Sequence, residues 1–272
     1  MTDRADVTDE TDVTDDADET TGTRRAFNAR RITLAALTVL YAVLWAGGVI
    51  RHLFIGPVAP AQNLLASAFL TLAGLIVLLS TRTRGDVLRL CAVACCGLLI
   101  ELCGVRSGLP FGRYAYADVL RPTLFGVPVV MAFAWMVLVA YMKQALLRLR
   151  LSRLTGALVA AVWMTGIDLV IDPLAGNDLG YWRWASRGVY YGIPASNFAG
   201  WFMSSLVIFL LFRRDPESNR GAQLTGVSIL LFFTLIAFSF QLFVAAAVGC
   251  ALFVLHILVF GGRLGARIAR RS

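Results

Sequence analysis

An all-α polytopic transmembrane helical bundle of about eight spans is the fold class this sequence predicts, on three observations. Of the 272 residues 58% are hydrophobic and 15% charged, and the mean hydropathy is +0.72. Several runs of roughly 17 to 22 residues carry no charge, the length a helix needs to cross a hydrocarbon core of about 30 Å. Lys and Arg gather at the ends of those runs, as the positive-inside pattern of membrane proteins requires.

The amino terminus departs from this composition. Met1 to Gly22 is a Thr/Asp repeat with nine of the seventeen acidic residues and no aromatic. Such a segment has too little apolar area to order itself and is too polar for a cleaved signal peptide. The expected division is therefore a disordered acidic tail, residues 1–23, and a transmembrane helical domain, residues 24–272.

The spans expected from hydropathy are Ile32 to Ile50, Ala61 to Ser80, Val87 to Cys103, Val127 to Leu147, Leu154 to Ile171 and Ala195 to Phe212, then an apolar run of 37 residues from Leu224 to Phe260. That run crosses twice if the Arg263 to Arg271 cluster is to lie inside with Arg82, Lys143 and Arg213, so eight spans are expected, turning near Ser239 to Gln241. A single crossing would make seven. Both termini then lie on the cytoplasmic side of the cell membrane. The two long connections, Gly104 to Gly126 and Asp172 to Pro194, lie outside, and loops on a rigid scaffold are where function concentrates.

The net charge of +8 does not mark a nucleic-acid partner, because the cations sit at span ends. Cys91, Cys95, Cys96 and Cys103 share one span and Cys250 lies in another, with no disulfide frame or zinc spacing, so they read as small residues at helix contacts. His52 and His256 are far apart in the chain. The single lysine, Lys143, ends a span, which argues against a retinal-type Schiff base at mid-membrane.

From Asp168 to Trp201 the chain reads DLVIDPLAGNDLGYWRWASRGVYYGIPASNFAGW, a mixture that lipid burial alone does not call for. Pro173 should stop the helix near Asp172. Asp168 and Asp172 are one turn apart, about 40° around the axis and about 6 Å along it. The two long loops also resemble each other. Glu101 is followed 25 residues later by Gly126-Val-Pro128 with Trp135 seven beyond, and Asp168 is followed 24 residues later by Gly192-Ile-Pro194 with Trp201 seven beyond. The spacing suggests an internal duplication.

Eight acids lie outside the tail, and of these Glu101, Asp168 and Asp172 fall in or at the edge of spans. A charged group there costs on the order of 2.5–3.5 kcal/mol by insertion scales and marks a functional candidate. The alternative for Glu101 is a buried ion pair with Arg106 or Arg113. Carboxyls in unlike surroundings divide into an acid and a base. Tyr114, Tyr116, Trp135 and Trp201, with Trp182, Trp184, Tyr190 and Tyr191, either anchor the membrane interface or turn their ring faces toward a cation.

The run from Glu101 to Tyr116 (ELCGVRSGLPFGRYAY), Gly126-Val-Pro128, Asp168 with Asp172-Pro173, Gly180-Tyr-Trp-Arg-Trp184 and the segment Tyr190 to Trp201 resemble the membrane carotenoid 1,2-hydratases of the bisanhydrobacterioruberin hydratase type. The resemblance is carried by about Leu99 to Phe202. It implies a hydro-lyase that adds water across the terminal C1,2 double bond of an acyclic carotenoid end group, leaving a tertiary alcohol, with no metal or organic cofactor. It also implies a lipophilic carotenoid substrate held in the bilayer, and association with other membrane enzymes of the pathway. The roles that chemistry assigns are Asp168 as proton donor, Asp172 or Glu101 as the base that deprotonates water, and Asn197 to orient that water, with the Tyr and Trp side chains lining the end-group pocket. Two rivals stand beside it. Asp168-x-x-x-Asp172 has the spacing of an intramembrane prenyltransferase's magnesium site, and the duplication suits a transporter or lipid carrier.

Overall fold

The uncharged runs become helices because in hydrocarbon every backbone N–H and C=O must find its partner within the segment. The structure, a computed structural model, describes residues 11–55, 64–212 and 217–262. Among these, eight α-helices run up and down in succession: α1 Thr11–Ile50, α2 Leu64–Ser80, α3 Arg84–Ser107, α4 Val130–Leu149, α5 Arg153–Pro173, α6 Ala195–Leu211, α7 Arg220–Ser239 and α8 Phe243–Phe260. Six are long and apolar enough to cross a membrane, and α2 and α6 are shorter apolar helices. The architecture is the expected all-α membrane bundle.

At the end with short connections, three helices start on side-chain caps. Thr83, Ser152 and Asn219 accept the N–H groups of Asp86, Thr155 and Ala222 at 3.0, 3.4 and 2.9 Å, and such caps contribute about 1 kcal/mol each. The apolar run from Leu224 to Phe260 does fold back on itself. Gln241 makes the turn in the left-handed conformation, φ 59°, and the Leu242 N–H closes it on the Ala237 carbonyl at 2.9 Å.

The centre of the bundle is α4, buried along most of its length. The closest helix pairings are α3 with α4 and α5 with α6, the two hairpins whose long connections share a spacing. Those connections form short strands: β1 Tyr114–Tyr116, β2 Thr123–Leu124, β3 Val127–Pro128 and β4 Trp182–Trp184. β2 pairs with β3 inside one connection, whereas β1 pairs antiparallel with β4 across the two, with Tyr114 opposite Trp184 and Tyr116 opposite Trp182.

Several expectations change. The expected tail, residues 1–23, lies partly outside the described residues, as does the Arg263 to Arg271 cluster, and α1 is described from Thr11. The α-helix α5 ends at Pro173, as expected, but the chain continues beyond it as a π-helical turn, Leu174–Asp178. Pro173 has no N–H to give the Leu169 carbonyl four residues back, and the Tyr190 hydroxyl donates to that carbonyl instead, at 2.9 Å. Cys91, Cys95, Cys103 and Cys250 are exposed on the flank and Cys96 is half-buried, so the thiols are not the small contact residues they were expected to be.

Candidate active site

Two helix ends and two strands bring the three intramembrane carboxyls into one cavity. Glu101 comes from the last turns of α3, Asp168 and Asp172 from the end of α5, and Asn197 from the first turn of α6. All four are at least 96% buried. With Phe111, Tyr114, Tyr116, Met131, Trp182, Trp184 and Trp201 they line a cavity of about 30 Å³, room for about two waters.

Glu101 is surrounded by neutral donors. Its Oε2 accepts from the Tyr114 and Tyr116 hydroxyls at 2.5 and 2.7 Å, and its Oε1 from the Trp135 indole at 3.0 Å. The ion pair considered for it does not form, and Arg106 lies over the Phe125 ring instead. Burial, and then the Glu101 carboxyl beside them, push both tyrosine hydroxyls well above their ordinary pKa, so they stay donors across the physiological range. Close approach of these rings needs glycine on α3. A Cβ on Gly97 would stand 2.4 Å from Trp135, and one on Gly104 would stand 2.7 Å from the Tyr114 hydroxyl.

Asn197 joins the other two acids. Its Nδ2 donates to Asp168 Oδ2 at 2.7 Å and to Asp172 Oδ2 at 2.9 Å. The second Asp172 oxygen accepts from the Trp182 indole at 2.7 Å. The Trp184 indole N–H is buried beside Asp172 but has no acceptor in hydrogen-bonding geometry among the described residues. Asp168 therefore has the fewest donors of the three acids and Glu101 the most. The arrangement offers unlike carboxyls, a polar spot of water size and a wall of aromatic rings, which is what acid–base chemistry on an apolar substrate requires.

Of the residues expected at the site, Tyr190 and Tyr191 do not line the cavity. Tyr190 supports the break in α5, and the Tyr191 hydroxyl accepts the Val244 N–H at 3.1 Å, tying the loop to the start of α8. Trp135 acts from behind, on Glu101. Sequence reasoning missed Phe111 and Met131, whose apolar side chains carry no chemical signal of their own; Phe111 sits inside the Gly108 to Gly112 turn, the one local hint.

Comparison with known proteins adds to this geometry. Residues 58–263 match the family described as carotenoid biosynthesis protein, which is more than half of the chain. The chain belongs to that family. Over 120 residues this carotenoid biosynthesis protein is 38% identical to the bisanhydrobacterioruberin hydratase of Haloarcula japonica, a stretch covering 42% of this chain and 40% of that relative. No solved structure matches. Membership of the family and six helices fit to cross a membrane make this carotenoid biosynthesis protein a membrane protein.

Proposed function

We propose that the protein is a carotenoid 1,2-hydratase, adding water to the terminal trisubstituted alkene of an acyclic carotenoid. The observation that carries the reading is the Asp168–Asn197–Asp172 bridge in an aromatic-walled cavity of water size. The likeness to a relative named as a hydratase supports it.

In this scheme Asp168, the acid with fewest donors, holds a proton and delivers it to the less substituted alkene carbon. The π electrons form the new C–H bond and leave a tertiary cation on the other carbon. Trp and Tyr faces and the Glu101 carboxylate, held by its three donors, stabilise that cation. Water attacks the cation and forms the C–O bond, Asp172 takes the proton released from oxygen, and exchange through water returns a proton to Asp168. The sum is alkene plus water to tertiary alcohol, redox-neutral. Asn197 spends its N–H bonds on the two acids, which leaves its carbonyl oxygen to accept from the water. The unsatisfied Trp184 N–H is a second partner for it.

Pigments extracted from cells making an acyclic carotenoid, with and without the protein, test the proposal. The expected product is the carotenoid heavier by one water and carrying a tertiary hydroxyl. An unchanged pigment at normal protein level would refute hydration, and a prenylated product would establish the rival transferase.

A further inference from the structure

A larger space, mostly apolar but with Arg51 and His52 in its lining, adjoins the site. Between α1, α2 and α7, at the same end of the bundle, lies a groove of about 360 Å³, within the size range of pockets that hold small ligands. Its rim includes Val43 and Leu65, both exposed on the bundle's flank, so it opens where lipid would be. Its wall includes the stacked rings of Phe69 and Phe232, 5.1 Å apart. The groove shares Leu70, Tyr181 and Phe233 with an inner apolar cavity of about 60 Å³, and that cavity shares Met131 and Trp182 with the three-carboxyl site. Three spaces with common walls thus lie in series between the flank and the acids.

We infer that this series is the route and seat of the linear polyene, which enters sideways from the bilayer between α1 and α2 and reaches the carboxyls with its end group past Tyr181 and Met131. The inference rests on the hydratase reading for what happens at the far end. A rod-like apolar chain fits the succession of spaces, whereas the carboxyl cavity by itself has room for water and not for an isoprenoid end. Met131 stands where the apolar and polar spaces meet, and its unbranched thioether swings aside at low cost. Trp182 lines the route while its N–H holds Asp172. Gly47 lines the groove on α1. A Cβ on the adjacent Gly48 would meet Phe232 at 2.7 Å, but one on Gly47 would meet nothing within 4 Å.

That free space makes Gly47 the place to obstruct the route without disturbing packing, since a larger residue in a helix interior is also the better helix former. The test measures binding of an acyclic carotenoid to the purified full chain through the polyene's induced circular dichroism, in an Asp168→Asn background to prevent turnover, and measures hydration with Asp168 intact. Gly47→Phe, and independently Val43→Trp, are expected to weaken binding and to lower kcat/KM roughly tenfold or more, the loss expected when about two methylene-sized groups of ligand are no longer buried. Val39→Phe, exposed on the same helix outside the groove, should change neither. If the unobstructed protein hydrates the carotenoid and both obstructed variants match it at equal protein level, the route is wrong. If it binds the carotenoid with the groove-dependent loss but never hydrates it, the hydratase reading fails and the groove stands.

Discussion

The indole rings of Trp135 and Trp201 lie face to face, with 4.4 Å between centroids and 10° between planes. Each stands seven residues past a proline in its own helical hairpin, so a repeated spacing in the chain becomes a physical pair at the centre of the bundle. β1 and β4 meet in the same way, their register symmetric about Ala115 opposite Arg183. Antiparallel strands and stacked rings from matching positions are what a two-fold relation between hairpins produces. Glu101 and Asp168, at matching places in the repeated spacing, also share a cavity although 67 positions separate them.

The two tryptophans nevertheless have different tasks. Trp135 donates to Glu101 while its ring supports Trp201. Trp135→Phe keeps a ring and removes the donor, so hydration is expected to fall by roughly 10- to 100-fold, the worth of about 1.5–3 kcal/mol for a hydrogen bond to a charged group. Trp201→Phe should fall less. Rates per unit of membrane-inserted protein check the contrast, and equal losses would mean that stacking, not the bond to Glu101, matters.

Gly97 offers a test by sign. Gly→Ala inside a helix ordinarily stabilises by about 1 kcal/mol, but here the new methyl would overlap Trp135. Gly97→Ala is therefore expected to destabilise by roughly 1–3 kcal/mol, as overpacking does. Thermal denaturation in detergent reads it, and a raised midpoint would show that Trp135 has room to retreat.

Much of this was legible from residue chemistry. Hydropathy and charge placement give the helices, including the fold-back after Ser239, because the lipid's demands are written in composition. The three acids stand out because ionisable groups in spans are costly. The pairing of β1 with β4 was not legible, since it joins Tyr114 and Trp184 across 70 positions through backbone bonds that any side chains could make. Nor was the support role of Tyr190, which follows from a carbonyl freed by Pro173. Met131 looks like any core methionine until the cavities on its two sides are seen.

Orientation supplies a prediction independent of chemistry. The basic connections lie opposite the site-bearing end, so both termini are expected in the cytoplasm and the site at the outer face. Reporter fusions after Arg187 and after Arg271 should register opposite sides. The same side for both would contradict this orientation.

The proton donor is the sharpest test. Asp168→Asn keeps the size of the side chain and an oxygen toward Asn197, but it removes the transferable proton. If Asp168 is the acid, insertion and polyene binding should survive while hydration falls by the roughly 10²- to 10⁴-fold typical of general acid catalysis, or more. A purely structural carboxylate behaves otherwise: removing one member of a buried charged network costs roughly 3–5 kcal/mol and would lower protein level together with activity. Measuring membrane protein and hydroxylated carotenoid in the same cells separates the two. Glu101→Gln run beside it should be milder than Asp168→Asn, because its amide oxygen still accepts from Tyr114 and Tyr116, although its NH2 then faces the Trp135 N–H. Near-normal hydration by Asp168→Asn at normal protein level would instead move the donor role to Asp172 or Glu101.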